Sequence, residues 1–155
     1  MEVTINGSTG QITVRYTDDD GKEKAMTDRL KLPPDVANGM ITTLLKNIRH
    51  DVPLTTFSMV AATPKPRLVK LLISPEGEDS FSVGSSSHKA TRYDIKVDIG
   101  GVAGLVAPLV GKQPQDIHVW IIGGDAPAFV KLEGPLYLGG PIWRMELTSP
   151  VWQEH

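Results

Sequence analysis

Tyr93, Ile95, Val97 and Ile99 alternate with Asp94, Lys96 and Asp98, and a two-residue period gives a single apolar face only on an extended strand. That strand is expected to be buried on one side and wet on the other. Farther along, Ile117-His118-Val119-Trp120-Ile121-Ile122 is apolar on both faces, so something has to cover each side of it. A chain with both patterns must build a sheet and lay other structure on it. Val3/Ile5 and Ile12/Val14/Tyr16 flank Asn6-Gly7-Ser8-Thr9-Gly10 as an opening hairpin, and Asp18-Asp19-Asp20-Gly21 turns the chain again toward residues 22 to 32. Phe57/Met59/Ala61, the run 68 to 73, Phe81/Val83, the run 129 to 132 and Trp143/Met145/Leu147 add further strands.

The cover is expected from one helix. Val36, Met40, Ile41, Leu44, Leu45 and Ile48 recur as a helical stripe, entered through Pro33-Pro34-Asp35 and ended by Arg49-His50 before Pro53. Gly39, Thr42 and Thr43 are poor helix formers, so a helix over 35 to 49 has to draw its stability from packing the stripe on the sheet. The stripe reads as core or as a wall facing a ligand. A second unusual stretch, residues 99 to 111, has no charged or polar side chain and is too short to span a bilayer. Its glycines and Pro108 make it a poor regular helix, and it reads either as a buried plug or as a contact surface for an apolar partner.

Length and composition describe one soluble globular domain over 1–155, with about 70% of its unfolded surface buried on folding. With 16 Lys+Arg against 18 Asp+Glu, the chain has no electrostatic footprint for nucleic acid or an anionic membrane, and no run of about 18 apolar residues forms a transmembrane segment. Charge is uneven, because 26 of the 34 charged side chains fall in residues 1 to 98. With no cysteine, disulfides, thiolate metal sites and cysteine nucleophiles are excluded together.

The remaining motifs fall short of chemistry. Asp18-Asp19-Asp20-Gly21 is interrupted by Lys22 and Lys24 where a calcium loop continues with oxygen ligands, so it reads as a hairpin turn. The histidines at 50, 88, 118 and 155 have no metal-ligand spacing, and His118 beside Trp120 reads as a hydrogen-bonded structural residue. Ser85-Ser86-Ser87-His88 lacks the elbow that presents a nucleophile and reads as a flexible strand connection. Neither glycine pattern for nucleotide phosphates is present. No catalytic residue, metal or cofactor is expected, and the chain reads as a non-enzyme.

Several words of the sequence carry a resemblance: Lys89-Ala90 through Ile99 to Gly104, Ala107 to Pro114, Val119-Trp120-Ile121, Ala126 to Val130, Gly139 to Arg144, and Leu32 to Met40 followed by Leu44 to Asn47. Over residues 30 to 152 they resemble a group of uncharacterised exported bacterial proteins. More distantly, one helix and a long antiparallel meander are similar to the half-barrel, or β-clam, of periplasmic LolA/LolB-type lipoprotein carriers. The resemblance implies a β-rich α+β fold in which an antiparallel sheet curls around the amphipathic helix, with an apolar concave face for acyl chains. It also implies export, with a leader or lipid anchor upstream of Met1. An abrupt start in a strand fits a domain trimmed from a longer exported protein.

Two functions follow as expectations. One is an exported module binding an apolar ligand, acyl chain or lipoprotein, with Leu105, Val106 and Leu109 at the entrance and Met40 and Leu44 as the inner wall. The other is a structural or interaction domain of a larger envelope protein. An empty apolar cavity between helix and sheet favours the first, and a filled core with an exposed sheet edge favours the second.

Overall fold

The computed structural model describes residues 1–49, 51–61, 63–83, 86–100, 114–135 and 140–147. Among the described residues the strand-forming patterns give nine strands, divided between two antiparallel sheets. β1 (Glu2–Ile5), β2 (Gln11–Thr17) and β3 (Glu23–Arg29) form a three-stranded meander. β4 (Thr55–Ala61), β5 (Arg67–Val83), β6 (Ser86–Asp98), β7 (Ile117–Ile122), β8 (Ala128–Pro135) and β9 (Ile142–Glu146) follow in sequence order as a six-stranded meander. The β-rich, antiparallel expectation is met by two sheets rather than by one sheet curled around a helix.

The opening hairpin depends on its loop. Asn6 Oδ1 accepts from the amides of Ser8 and Thr9, and Gly10 donates to the Asn6 carbonyl at 2.9 Å. Gly10 is buried at φ 72°, and its carbonyl accepts from Leu30 at 2.9 Å. A Cβ there would lie 2.1 Å from the Leu30 carbonyl oxygen, a backbone atom that cannot step aside. At the next turn Asp18 accepts from the amides of Asp20 and Lys22 and pairs with Lys24 Nζ at 2.6 Å. The Lys24 bond, followed by the Lys22 amide, holds the Asp18 carboxyl below its usual range. The acidic triplet is thus a hairpin turn, as its lysines indicated.

β5 runs for 17 residues and joins the run 68 to 73 and Phe81/Val83, which the sequence reads as two strands. β4 pairs with β5 only from Arg67 to Ile73, so Pro75 lies past β4's last partner, where a proline is tolerated. The register shifts between Pro75 and Gly77, the signature of a bulge, with Gly77 at φ 120°. Beyond it Ser86, Ser87 and His88 pair with Val83, Ser82 and Phe81, so these residues belong to β6 rather than to a loose connection.

The helix is far shorter than its stripe. Of residues 35 to 49 only Ile41–Leu45 is helical. Residues 35 to 38 instead run beside β4, with Val36 bridging Ser58 in parallel, Ala37 donating to the Ser58 carbonyl at 2.9 Å and Ser58 donating back to Asp35 at 3.2 Å. The Asn38 side chain accepts from the Val60 amide and donates to the Val60 carbonyl, both at 2.8 Å. Gly39, at φ 74°, then reverses the chain into the short helix α1 (Ile41–Leu45). A backbone needed at a sheet edge cannot also wind as a helix, and this tertiary demand overrides the periodicity.

The two faces of the six-stranded sheet carry different cores. On one face Leu45 of α1 is buried with Leu71, Ile73, Tyr93, Ile95, Val119 and Ile121, and Ile41, Ile48, Phe57 and Met59 pack around them. Burial also pushes the Tyr93 phenol above its usual range. On the other face, Ile12 and Val14 of β2 meet Val60 of β4, with Leu30, Leu32 and Leu68 alongside. Farther along that second face Trp120 is buried with Ala90 and Val130, against Phe81 and Ile122. The run 117 to 122 is covered on both sides, as its composition requires. The stripe that reaches the sheet is Ile41/Leu45/Ile48, whereas Met40 is 53% exposed and Leu44 is half-buried outside the cluster. The expected Met40/Leu44 contact is corrected by this one-residue rotation.

Two stability outcomes follow. Leu45→Ala is expected to cost about 2 to 5 kcal/mol as a buried large-to-small change, with Leu44→Ala costing less and Met40→Ala under about 0.5 kcal/mol, compared by urea midpoints. Equal losses at 40 and 45 would contradict the observed helix phase. Gly10→Ala is expected to cost about 2 kcal/mol or more, combining a left-handed backbone with the Leu30 clash. A loss of only a few tenths would mean that the hairpin tolerates another loop conformation.

Candidate functional site

Leu105, Val106 and Leu109 lie outside the described residues. Met40 faces solvent just before α1, and the space between helix and sheet is filled by Ile41, Leu45 and Ile48. Among the described residues no group of three or more His, Cys, Asp or Glu could hold a metal ion, and no helix is long and apolar enough to cross a membrane.

What the fold does assemble is a registered band of charge on the face of β6 to β9 opposite α1. Antiparallel register places Arg92, Trp120, Lys131 and Glu146 side by side across four strands, and Asp94, His118, Glu133 and Arg144 beside them in a second row. Residues paired across strands share a face, so the alternation of β6 delivers each row to one surface. In the first row the Trp120 indole N–H donates to Asp79 Oδ2 at 2.7 Å, and Lys131 Nζ lies 4.1 Å from the ring centre, a cation–π contact. Arg92 approaches the same Asp79 at 3.7 Å, and its Nε is buried with no hydrogen-bond partner among the described residues.

In the second row His118 Nδ1 and Asp94 Oδ1 lie 2.5 Å apart, which makes His118 the hydrogen-bonded residue that its position beside Trp120 indicated. Lys131 joins the rows through Glu133 at 2.7 Å, and Arg144 reaches Glu133 at 3.8 Å and Glu146 at 2.8 Å. The hydrogen bond from Lys131, helped by the charges of Lys131, Arg144 and His118, lowers the Glu133 carboxyl from its ordinary 4.5 against the opposing effect of burial. A cleft of about 190 Å³ opens between Phe81, Trp120, Lys131 and Arg144, but its charged groups are engaged with one another. The band therefore orders the strands and aims β9, and its groups are not arranged as a nucleophile and base.

β9 is the outer strand of that band. Ile142, Trp143, Met145 and Leu147 are all exposed, Trp143 at 50% and Met145 at 43%. The expected strand at Trp143, Met145 and Leu147 is present, and its apolar side chains are left exposed because β9 is the last strand among the described residues and no described element lies over it. Among the described residues nothing pairs with its outer edge. The opposite edge of the same sheet, β4, is closed by residues 35 to 38 and the Asn38 amide. In the smaller sheet, β3 carries Glu23, Lys24, Asp28 and Arg29, the kind of charge that discourages edge pairing. The sequence signal for the exposed edge is the alternation Trp143-Arg144-Met145-Glu146-Leu147, which shows a strand without showing its place in the sheet.

The Glu133 bonds have a pH consequence. Its carboxyl is lowered in the folded state, so its contribution is fully present above about pH 4.5 and is lost as pH falls through the lowered value. Glu133→Gln should lose stability at pH 7 and show a shallower acid-side decline, read from urea midpoints at stepped pH. An unchanged acid-side slope would mean that Glu133 is no better stabilised folded than unfolded.

A scan against protein-family models, a search of curated proteins and a search of solved structures each return no match.

Proposed function

We propose that this chain is a protein-interaction module that docks through the open edge of its six-stranded sheet. The observation that carries the reading is β9, which presents Trp143, Met145 and Leu147 to solvent while the opposite edge, β4, is closed by Asn38 and its neighbours. An unpaired strand edge supplies backbone donors and acceptors in a fixed line, and apolar side chains along it supply the favourable burial. The partner this chemistry selects is an extended protein segment, apolar on one face and bearing charges complementary to Arg144 and Glu146 on the other. Among the expected functions this is the interaction domain, and the filled helix–sheet contact supports it over a carrier with an internal cavity.

A photo-crosslinking residue at Trp143, introduced into the protein in its native cell, is expected to give a discrete protein adduct. The adduct should be absent from the same probe at Met26, an exposed residue of β3, and should disappear when Met145→Asp is added. Adducts of equal yield at 26 and 143, or none at 143, would overturn the reading.

An apolar ligand retains one specific support. A cleft of about 480 Å³ is lined by Pro33, Leu68, Val69 and Ile99 together with Lys31, Ser58, Lys70 and Asp98, beside Gly100, where the uncharged segment begins. A fluorescent fatty acid should then bind the unmodified protein and bind Leu68→Ser several-fold more weakly, and no binding, or equal binding, removes this second reading. Export, implied by the resemblance, belongs to the same proposal: the native product is to be found outside the cytoplasm, and its recovery only from the cytoplasm would remove that part.

A further inference from the structure

Resting on the interaction reading, we infer that the occupant of the β9 edge is β9 of a second copy of this chain, paired antiparallel about a twofold axis at Met145. The backbone phase allows it. Leu147 donates to the Val130 carbonyl at 2.9 Å, and Met145 and Trp143 pair with Leu132 and Gly134. Because backbone groups alternate direction along a strand, residues 143, 145 and 147 turn theirs toward β8, and residues 142, 144 and 146 turn theirs outward. Centred on Met145, the two strands meet with Met145 opposite itself as a non-hydrogen-bonded pair. Arg144 then stands opposite the partner's Glu146 as a hydrogen-bonded pair, and the reverse pair repeats it.

The side chains select the same register. Trp143 falls opposite the partner's Leu147 on the apolar face, and Arg144 opposite the partner's Glu146 on the charged face. Centring on Arg144 or Glu146 would set like charges together, and centring on Trp143 would set Arg144 against Ile142. A twofold axis perpendicular to the sheet keeps each face continuous, so the first charged row of one copy runs into the second row of the other. Across the seam the order becomes Lys131, Glu146, the partner's Arg144, the partner's Glu133, with charges alternating at every step. The contact is isologous, the same patch used twice. Strands of five residues bury little area, which places the dimer among small, reversible interfaces.

Sedimentation velocity from about 1 µM to several hundred µM, the range in which a small interface associates, should show the average mass rising from 16.8 kDa toward twice that value. Arg144→Glu and Glu146→Arg, each alone, should stay monomeric, since each sets like charges across the seam. Mixed in equal amounts they should dimerise, and the double variant Arg144→Glu/Glu146→Arg should dimerise by itself. The chain has no cysteine, so Met145→Cys should form a disulfide-linked dimer under mild oxidation at least about tenfold faster than Met26→Cys, an effective-concentration effect. This second measurement decides the matter should a charge reversal fail to fold. A monomer at every concentration, a dimer indifferent to the single reversals, or equal oxidation at 145 and 26 would overturn self-pairing. A monomer whose position 143 crosslinks to a different protein overturns only this inference, whereas the absence of any protein adduct at 143, to a second copy or to another protein, overturns the interaction reading itself.

Discussion

The ladder between β6 and β7 holds two unlike environments back to back. On one side, Tyr93 beside Val119 and Ile95 beside Ile117 build the core that α1 covers; on the other, Arg92 beside Trp120 and Asp94 beside His118 begin the charged band. Both depend on the same register, and a slip of one residue would drive Asp94 and Arg92 into the apolar core while exposing Tyr93 and Ile95. Burying a charge without a partner costs far more than any bond within the band returns. The register is therefore strongly specified, and it carries outward through β8 to β9.

The band fixes the orientation of the sheet's far strand more than it stabilises the molecule. Arg144 is tied both to Glu133 and to Glu146, yet partly exposed pairs of this kind contribute at most about 1 kcal/mol each. Their consequence is positional. They hold β9 with its charged residues on one face and Trp143 and Met145 on the other. At the opposite edge, Asn38 satisfies both the amide and the carbonyl of Val60, and the same chain segment gives up its helical form to do so. One edge has been closed by a side chain that imitates a strand, and the other is left apolar. The proposed docking through β9 rests on this asymmetry.

Much of the strand content was legible because a period of two has only one structural use. The alternation at residues 93 to 99, the Asn6 to Gly10 hairpin and the Asp18 turn are local, and each is found where its residues place it. The helix over 35 to 49 failed because its periodicity competed with hydrogen bonds to β4, a strand that begins at Thr55 and lies beyond the reach of any local pattern. β5 was read as two strands, 68 to 73 and Phe81/Val83, because its continuity past Pro75 depends on where β4 ends, which no short window contains. Met40 and Leu44 do not face the sheet, since starting the helix after Gly39 brought Ile41 and Leu45 there instead.

By itself the amino-acid order determined which residues could share a face: the apolar and charged sets of β6, the two-sided burial of residues 117 to 122, and the alternation of β9. Side-chain period is a property of the extended backbone, so it needs no knowledge of neighbours. Only the tertiary structure decided which faces were covered and which edges were closed. Burial and pairing depend on elements distant in the chain, and Trp143 and Val119 sit in equally strand-like patterns. Val119 is buried because β6, β8 and α1 surround it, and Trp143 is exposed because β9 comes last in the sheet.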